Sequence, residues 1–375
     1  MKFLPEDWQG ALLLGRIDLG EGPTPILVNK GEVTDISRTA PTVSTFLNGW
    51  DGSVPKGKPL GAITDLGFRP HWEGDRRLLA PIDLQCVKAA GVTFAVSAVE
   101  RVIEERARGD AGQANAIRAD LKARVGADIK SVKPGSAEAA KLKAALIADG
   151  LWSQYLEVAI GPDAEVFTKC PPLAAVGWGA EIGVRSDSTW NNPEPEVAIV
   201  CDAKGRHLGA TLGNDVNLRD FEGRSALLLG KAKDNNASTS LGPFIRLFDS
   251  GFTVDDVRQA VIDLTIEGTD NYRLEGRSTM AEISRDPSEL CRQTMSEHQY
   301  PDGFCLLLGT LFAPTQDRDE PGRGFTHKVG DVVRVSTPRL GTLENRVTTS
   351  KAAPPWNFGI GALMGNLAKR GLLAS

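Results

Sequence analysis

Glu194 and Glu196 stand two residues apart in Asn191-Asn192-Pro193-Glu194-Pro195-Glu196, at the entrance to the apolar run Val197-Ala198-Ile199-Val200. Residues two apart on a strand point to the same face, so both carboxylates aim into one space. A polar, glycine-containing segment, Asp202-Ala203-Lys204-Gly205-Arg206, then precedes a second apolar run, Leu208-Gly209-Ala210-Thr211-Leu212, which predicts a hairpin. A turn centred between Lys204 and Gly205 sets Glu194 opposite Asp215, within a slip of about two residues. Three carboxylates meeting at one hairpin end repel one another unless a cation sits among them. Hard oxygen donors favour Mg²⁺, Mn²⁺ or Ca²⁺ over zinc. The same spacing also fits two solvent-facing glutamates on an edge strand, where prolines are at home.

The chain that must position these groups has 375 residues, enough to bury a full core and to divide into more than one unit. Its 41% hydrophobic and 24% charged content is ordinary for a soluble protein. A net charge of −5, with no basic and aromatic-rich stripe, gives no reason to propose nucleic acid as a partner. No apolar run approaches the ~20 residues of a membrane span, and Pro5, Glu6 and Asp7 interrupt any leader core. Five scattered cysteines without a CxxC spacing read as reduced core thiols of a cytoplasmic protein. The four histidines, His71, His207, His298 and His327, include none beside a nucleophile motif, which argues against triad catalysis and a histidine-rich zinc site. His298 and His327 stand apart only because they fall in loops of the later half.

Forty glycines and twenty-two prolines predict many turns and a β-rich fold. Residues 11–37 alternate apolar segments with glycine-rich turns, as a small β-meander does, and Leu78 to Asp83 reads as a linker. The expected division is therefore a small N-terminal β-rich domain, 1–85, and a catalytic domain, 86–375. Between Ser97 and Arg124 the pattern is helical, with Val99, Val102, Ile103 and Ala107 on one face. A second helix is expected from Ser136, its N-cap, to Asp149. Together they suggest a helical insertion over about 97–150, either packed on the sheet or folded over the carboxylates as a lid. Short strands follow at Leu156–Ile160, Val197–Cys201, Ala210–Gly213, Val261–Ile266, Phe304–Leu308 and Val332–Val335, with a final hairpin over Asp331 to Asn345. The fold class is mixed α/β, mainly β and antiparallel, with peripheral helices.

With these residues placed, the chain resembles the fumarylacetoacetate hydrolase family. Pro193-Glu194-Pro195-Glu196, Asn214-Asp215-Val216-Asn217-Leu218-Arg219-Asp220, Lys233, Gly309-Thr310 and Gly341-Thr342-Leu343-Glu344-Asn345 match the family's ordered motifs, and the likeness covers about 86–350. It implies that family's β-roll core, with Glu194, Glu196 and Asp215 as ligands of Mg²⁺ (or Mn²⁺). It also implies that Lys233 is the family lysine, with Lys231 its nearby competitor. Hydrolases of the family carry a histidine and a glutamate to activate water. Here Glu100 keeps the glutamate position and Ser97 replaces the histidine, which speaks against hydrolysis.

Stretches such as Glu100 to Asp110, Leu151-Trp152-Ser153-Gln154-Tyr155 and Asp220 to Ser225 look most like the branch of 2-keto-3-deoxy-pentonate dehydratases. That resemblance implies a hydro-lyase making 2,5-dioxopentanoate in oxidative pentose breakdown, acting on a small sugar acid and assembling as a homo-dimer or tetramer. Glu100 is then expected as general acid/base and Lys233 as a cation for developing charge. Ser97 would orient a hydroxyl, and Thr310 and Lys169 would contact the substrate. The alternatives are a metal-dependent hydrolase of acylpyruvates or 2,4-diketo-3-deoxy sugar acids, which needs the same chelate, and a non-catalytic metal-stabilised protein.

Overall fold

The hairpin forms in the register its turn dictates. In the computed structural model, which describes residues 3–74, 76–114, 117, 132–312, 314, 316–321 and 323–373, strand Pro195–Cys201 pairs antiparallel with His207–Asp215. Pro195 faces Asn214 and Glu196 faces Gly213, and the Asp215 amide donates to the Glu194 carbonyl at 3.0 Å. Gly205 makes the turn at φ +74°, a conformation that costs glycine little. The other flank of Pro195–Cys201 is taken by Phe304–Leu307. Every residue of Pro195–Cys201 is buried. Glu194 and Glu196 are thus on a central strand, and the edge-strand alternative falls.

Around this pair an eleven-stranded sheet extends in both directions. On one side come Thr239–Leu247 and then the N-terminal meander Leu12–Asp18, Thr24–Asn29 and Glu32–Asp35. Leu13 and Leu14 pair with Arg246 and Ile245. On the other side Phe304–Leu307 runs parallel to Cys86–Gly91, which pairs with Glu165–Cys170. The meander and the site strands therefore share one sheet, and a division near residue 85 would cut through it. A second sheet, Arg273–Thr279, Val261–Glu267, Val332–Thr337, Gly341–Thr349 and Glu181–Val184, packs against the first. Val197, Ile199 and Leu212 of one meet Leu264, Val335 and Leu343 of the other in the main core. This is the expected mixed, mainly β architecture.

Helix Ala95–Arg106 begins the expected helical segment and ends early, because Arg108 and Gly109 turn through φ +52° and +74°. Helical conformation resumes at 111–114 and 117, and residues 115, 116 and 118–124 of the expected helix lie outside the described residues. Ala137–Ala148 forms as expected, with the Ser136 hydroxyl accepting the Ala139 amide at 3.1 Å. The strand expected at Leu156–Ile160 is instead the helix Gln154–Ile160. Ser153 caps it, and the buried set Tyr155, Leu156, Ala159 and Ile160 has the 3.6 period of a helix stripe, which a short apolar run conceals.

The two sheets are tied by a buried amide. Asn345 accepts from Ser240 Oγ at 2.7 Å and donates to the carbonyls of Gly177 and Ala180 at 3.0 and 3.1 Å. Asn345→Ala strands three buried partners at once, and chemical denaturation should show a loss of about 2–4 kcal/mol.

Candidate active site

The first sheet ends in a small cavity lined among others by Ser97, Arg101, Glu165, Glu194, Glu196, Asp215, Glu222, Lys233 and Thr310. Oxygens of Glu194, Glu196 and Asp215 lie within 4.8 Å of one another, and all three residues are buried. The hairpin register puts them there: Glu196 projects over Gly213, and Glu194 opposes Asp215 at the pair's open end.

The electrostatics separate the three. Burial alone would raise the Asp215 carboxyl, but Lys169 and Lys233 outweigh it and hold the group below its ordinary value. Glu196 is pushed well above the ordinary carboxylate range by burial and by Asp215 and Glu194. Its direct hydrogen bond is from the Gly309 amide, at 2.7 Å. Gly309 adopts φ +90°, and a Cβ there would lie 2.1 Å from Thr93 Oγ1 and 2.9 Å from the Ala90 carbonyl, so this donor needs glycine.

Lys233 is buried, ion-paired to Glu194 and 3.2 Å from Asp215 Oδ2. Burial opposes its charge, but Asp215, Glu194 and Glu222 outweigh that and keep it an ammonium. Ser97 borders the cavity and caps its own helix, its hydroxyl donating to the Phe94 carbonyl at 2.8 Å. Thr310 accepts the Phe312 amide at 3.1 Å, which leaves its hydroxyl proton for another acceptor.

Three expected site residues and the two loop histidines stand elsewhere. Lys169 is fully buried behind Asp215, 3.0 Å from Oδ1, and is not among the residues lining the cavity. Lys231 is exposed, its ammonium 5.7 Å from the Phe221 ring. Glu100 faces Arg219 at 3.2 Å and does not line the cavity. The helix turn that carries it delivers Ser97 and Arg101 to the site instead. His327 is held by Asp331 at 3.2 Å, and His298 stacks on Tyr300 at 4.6 Å.

Sequence reasoning missed Arg101, Glu165 and Glu222. Arg101 bridges Glu194 at 2.6 Å, Glu104 at 2.7 Å and Glu222. Burial opposes its charge, but Glu104, Glu222 and Glu194 together raise its pKa. The signal available was spacing: Arg101 lies one helical turn after Ser97, on the same face. Arg219, in turn, meets Glu104 at 2.6 Å and lies over the Trp190 ring at 4.3 Å. Glu165 is opposite Gly91 in the strand register, and its carboxyl occupies the space a Cβ at Gly91 would need, 2.0 Å from Oε2. Burial raises its pKa. Burial also pushes Glu222 up to about 7, against the pull of Arg101 and Lys233. Val92, a cavity residue, sits at φ +56°, an uncommon strain for a β-branched side chain and one that collects at functional sites.

The family model described as "Fumarylacetoacetate (FAA) hydrolase C-terminal" matches residues 136–348. The chain belongs to the fumarylacetoacetate hydrolase family. A "Probable 2-keto-3-deoxyxylonate dehydratase" of Haloferax volcanii is 33% identical over 195 residues, 52% of this chain and 64% of that protein. The "2-dehydro-3-deoxy-D-arabinonate dehydratase" of Saccharolobus solfataricus is 33% identical over 182 residues, 48% of this chain and 57% of that protein. The matched segment thus spans less than two thirds of either relative. A solved "2-keto-3-deoxy-D-arabinonate dehydratase complexed with magnesium and 2,5-dioxopentanoate" shares the fold, with TM-score 0.65, 22% identity, and 90% of this chain and 99% of that chain covered.

The donor set fits a hard divalent cation: three carboxylates, all oxygen, converging without histidine or cysteine. Because Glu196 is held above its ordinary range, a cation that needs its ionised form must displace a proton. Calorimetric titration of metal-free protein in buffers of different ionisation enthalpy should therefore show proton release on cation binding, with affinity falling as pH falls. Binding with no proton release would contradict this charge distribution.

Proposed function

We propose that the chain is a Mg²⁺-dependent hydro-lyase that dehydrates 2-keto-3-deoxy-D-xylonate to 2,5-dioxopentanoate, a cytoplasmic step of pentose breakdown. The observation that carries this reading is one cavity combining the three-carboxylate site, the Lys233 ammonium and the Glu165 carboxyl packed on Gly91. No histidine lines the cavity among the described residues, so a water-activating base of the hydrolase kind is missing. The dehydratases among the relatives above support the same choice. Exposed Ile360 and Met364 on helix Ile360–Lys369 fit assembly into a homo-oligomer.

Mg²⁺ held by Glu194, Glu196 and Asp215 would supply Lewis acidity to a 2-keto acid's carboxylate and ketone oxygens. The protein's own groups do the rest. Glu165 takes the proton from C3 as a carboxylate and returns it, as a carboxylic acid, to the C4 hydroxyl that leaves as water. A burial-raised pKa suits both halves of that exchange. The same carboxyl can move a proton from C5 to C3, leaving a C4=C5 enol that becomes the aldehyde when C4 takes up a proton and the C5 hydroxyl gives one up. Lys233 keeps its charge and opposes the negative charge developing at the C2 oxygen. Thr310 donates to the substrate carboxylate, and Ser97 meets a hydroxyl of the sugar chain. Arg101 holds Glu194 from the wall opposite Lys233.

With Mg²⁺ and the five-carbon acid, mass spectrometry should show loss of one water. Glu196→Gln should abolish turnover. Glu165→Gln should lower kcat by ~10²-fold or more with cation affinity kept, as loss of a general acid/base does. Glu100→Gln should act on stability, through Arg219. Pyruvate released from an acylpyruvate at a comparable rate would favour carbon–carbon hydrolysis, and near-normal kcat in Glu165→Gln would remove that residue from the mechanism.

A further inference from the structure

At the closed end of the same hairpin lies a second cluster with the opposite chemistry. Cys201 ends strand Pro195–Cys201, and His207 opens the next strand as its direct cross-strand partner, after an irregularity at Val200 and Cys201. Cys291 arrives from helix Pro287–Met295, which packs on the turn so closely that a Cβ at Gly205 would lie 2.3 Å from Met295 Sδ. One donor atom from each of Cys201, His207 and Cys291 lies within 4.8 Å of the other two. Both cysteines are buried, 0% and 2% exposed, and His207 is half-buried, on the solvent side.

We propose that Cys201, His207 and Cys291 form a binding site for a thiophilic d¹⁰ cation, Zn²⁺ first, separate from the carboxylate centre. Two thiolates on one tetrahedral zinc, with bonds of about 2.3 Å, sit roughly 3.8 Å apart. Cys201 Sγ and Cys291 Sγ are 3.8 Å apart. A disulfide would need about 2.0 Å and would leave the imidazole without a role. Thiolate and imidazole donors select zinc over the hard cations that suit Glu194, Glu196 and Asp215. Three protein donors with a half-exposed histidine leave the fourth position to water. Cys201 lies five positions after Glu196, about 17 Å of extended chain, so the ion would pin turn and helix together without reaching the reaction cavity.

The test uses the full chain, freed of metal under reductant and titrated with Co²⁺ and then Zn²⁺. The expected result is one Co²⁺ per chain with thiolate charge-transfer absorption, displaced by Zn²⁺ and untouched by excess Mg²⁺. The band should persist in Glu196→Gln and vanish in Cys291→Ser. Affinity should fall by more than about 100-fold in His207→Ala, since even outer-sphere partners of a metal are worth 10–100-fold. Zn²⁺ should raise the melting temperature of the wild type and leave the rate of the Mg²⁺-supported reaction unchanged. Should Cys291→Ser fail to fold, the half-exposed His207→Ala still decides the matter. Absence of the band in the wild type, a band of equal affinity in His207→Ala, or a Cys201–Cys291 disulfide persisting under reductant overturns the proposal.

Discussion

Glu194, Glu196 and Asp215 are buried within 4.8 Å of one another, and the rest of the site is arranged around that unfavourable fact. Desolvating one carboxylate is costly, and desolvating three together requires compensation on every side. The protein supplies it unevenly. Lys169 and Lys233 secure Asp215, Lys233 and Arg101 secure Glu194, and among the described residues Glu196 receives a hydrogen bond only from the Gly309 amide. The deficit at Glu196 is what makes the cluster a candidate receptor for a cation.

The compensating charges form a continuous chain. Arg101 links Glu194 to Glu104 and Glu222, and Arg219 links Glu104 to Glu100 beneath the Trp190 ring. This network joins helix Ala95–Arg106 to the hairpin end, so the helix is fixed against the site through its charges. Glu100 belongs to that fixture through Arg219. Glu165 makes no ion pair among the described residues, and its carboxyl packs against Gly91 within the field of Arg101 and Lys233.

What the sequence made legible follows from the range of each signal. The hairpin, its register and the three carboxylates are local consequences of period-two spacing and a glycine turn, and the structure has them as read. The buried role of Lys169 was not legible, because nothing along the chain tells a cavity wall from the layer behind it. Glu165 escaped notice for a related reason: its place depends on pairing with Gly91, more than seventy residues earlier in the chain, and on that residue having no side chain. The helix at Gln154–Ile160 was misread as a strand because a five-residue, mostly apolar segment fits both periods, and the Ser153 cap is the feature that separates them.

The central claim is that the carboxylate cluster and a 2-keto acid share one cation. Electron-nuclear double resonance of the Mn²⁺-loaded protein tests it directly, using a non-reacting 2-keto acid labelled with a magnetic oxygen isotope at the carboxylate and ketone. The account predicts hyperfine coupling from both labelled oxygens, lost in Glu196→Gln. A bound, active protein whose Mn²⁺ shows coupling from neither oxygen would contradict it.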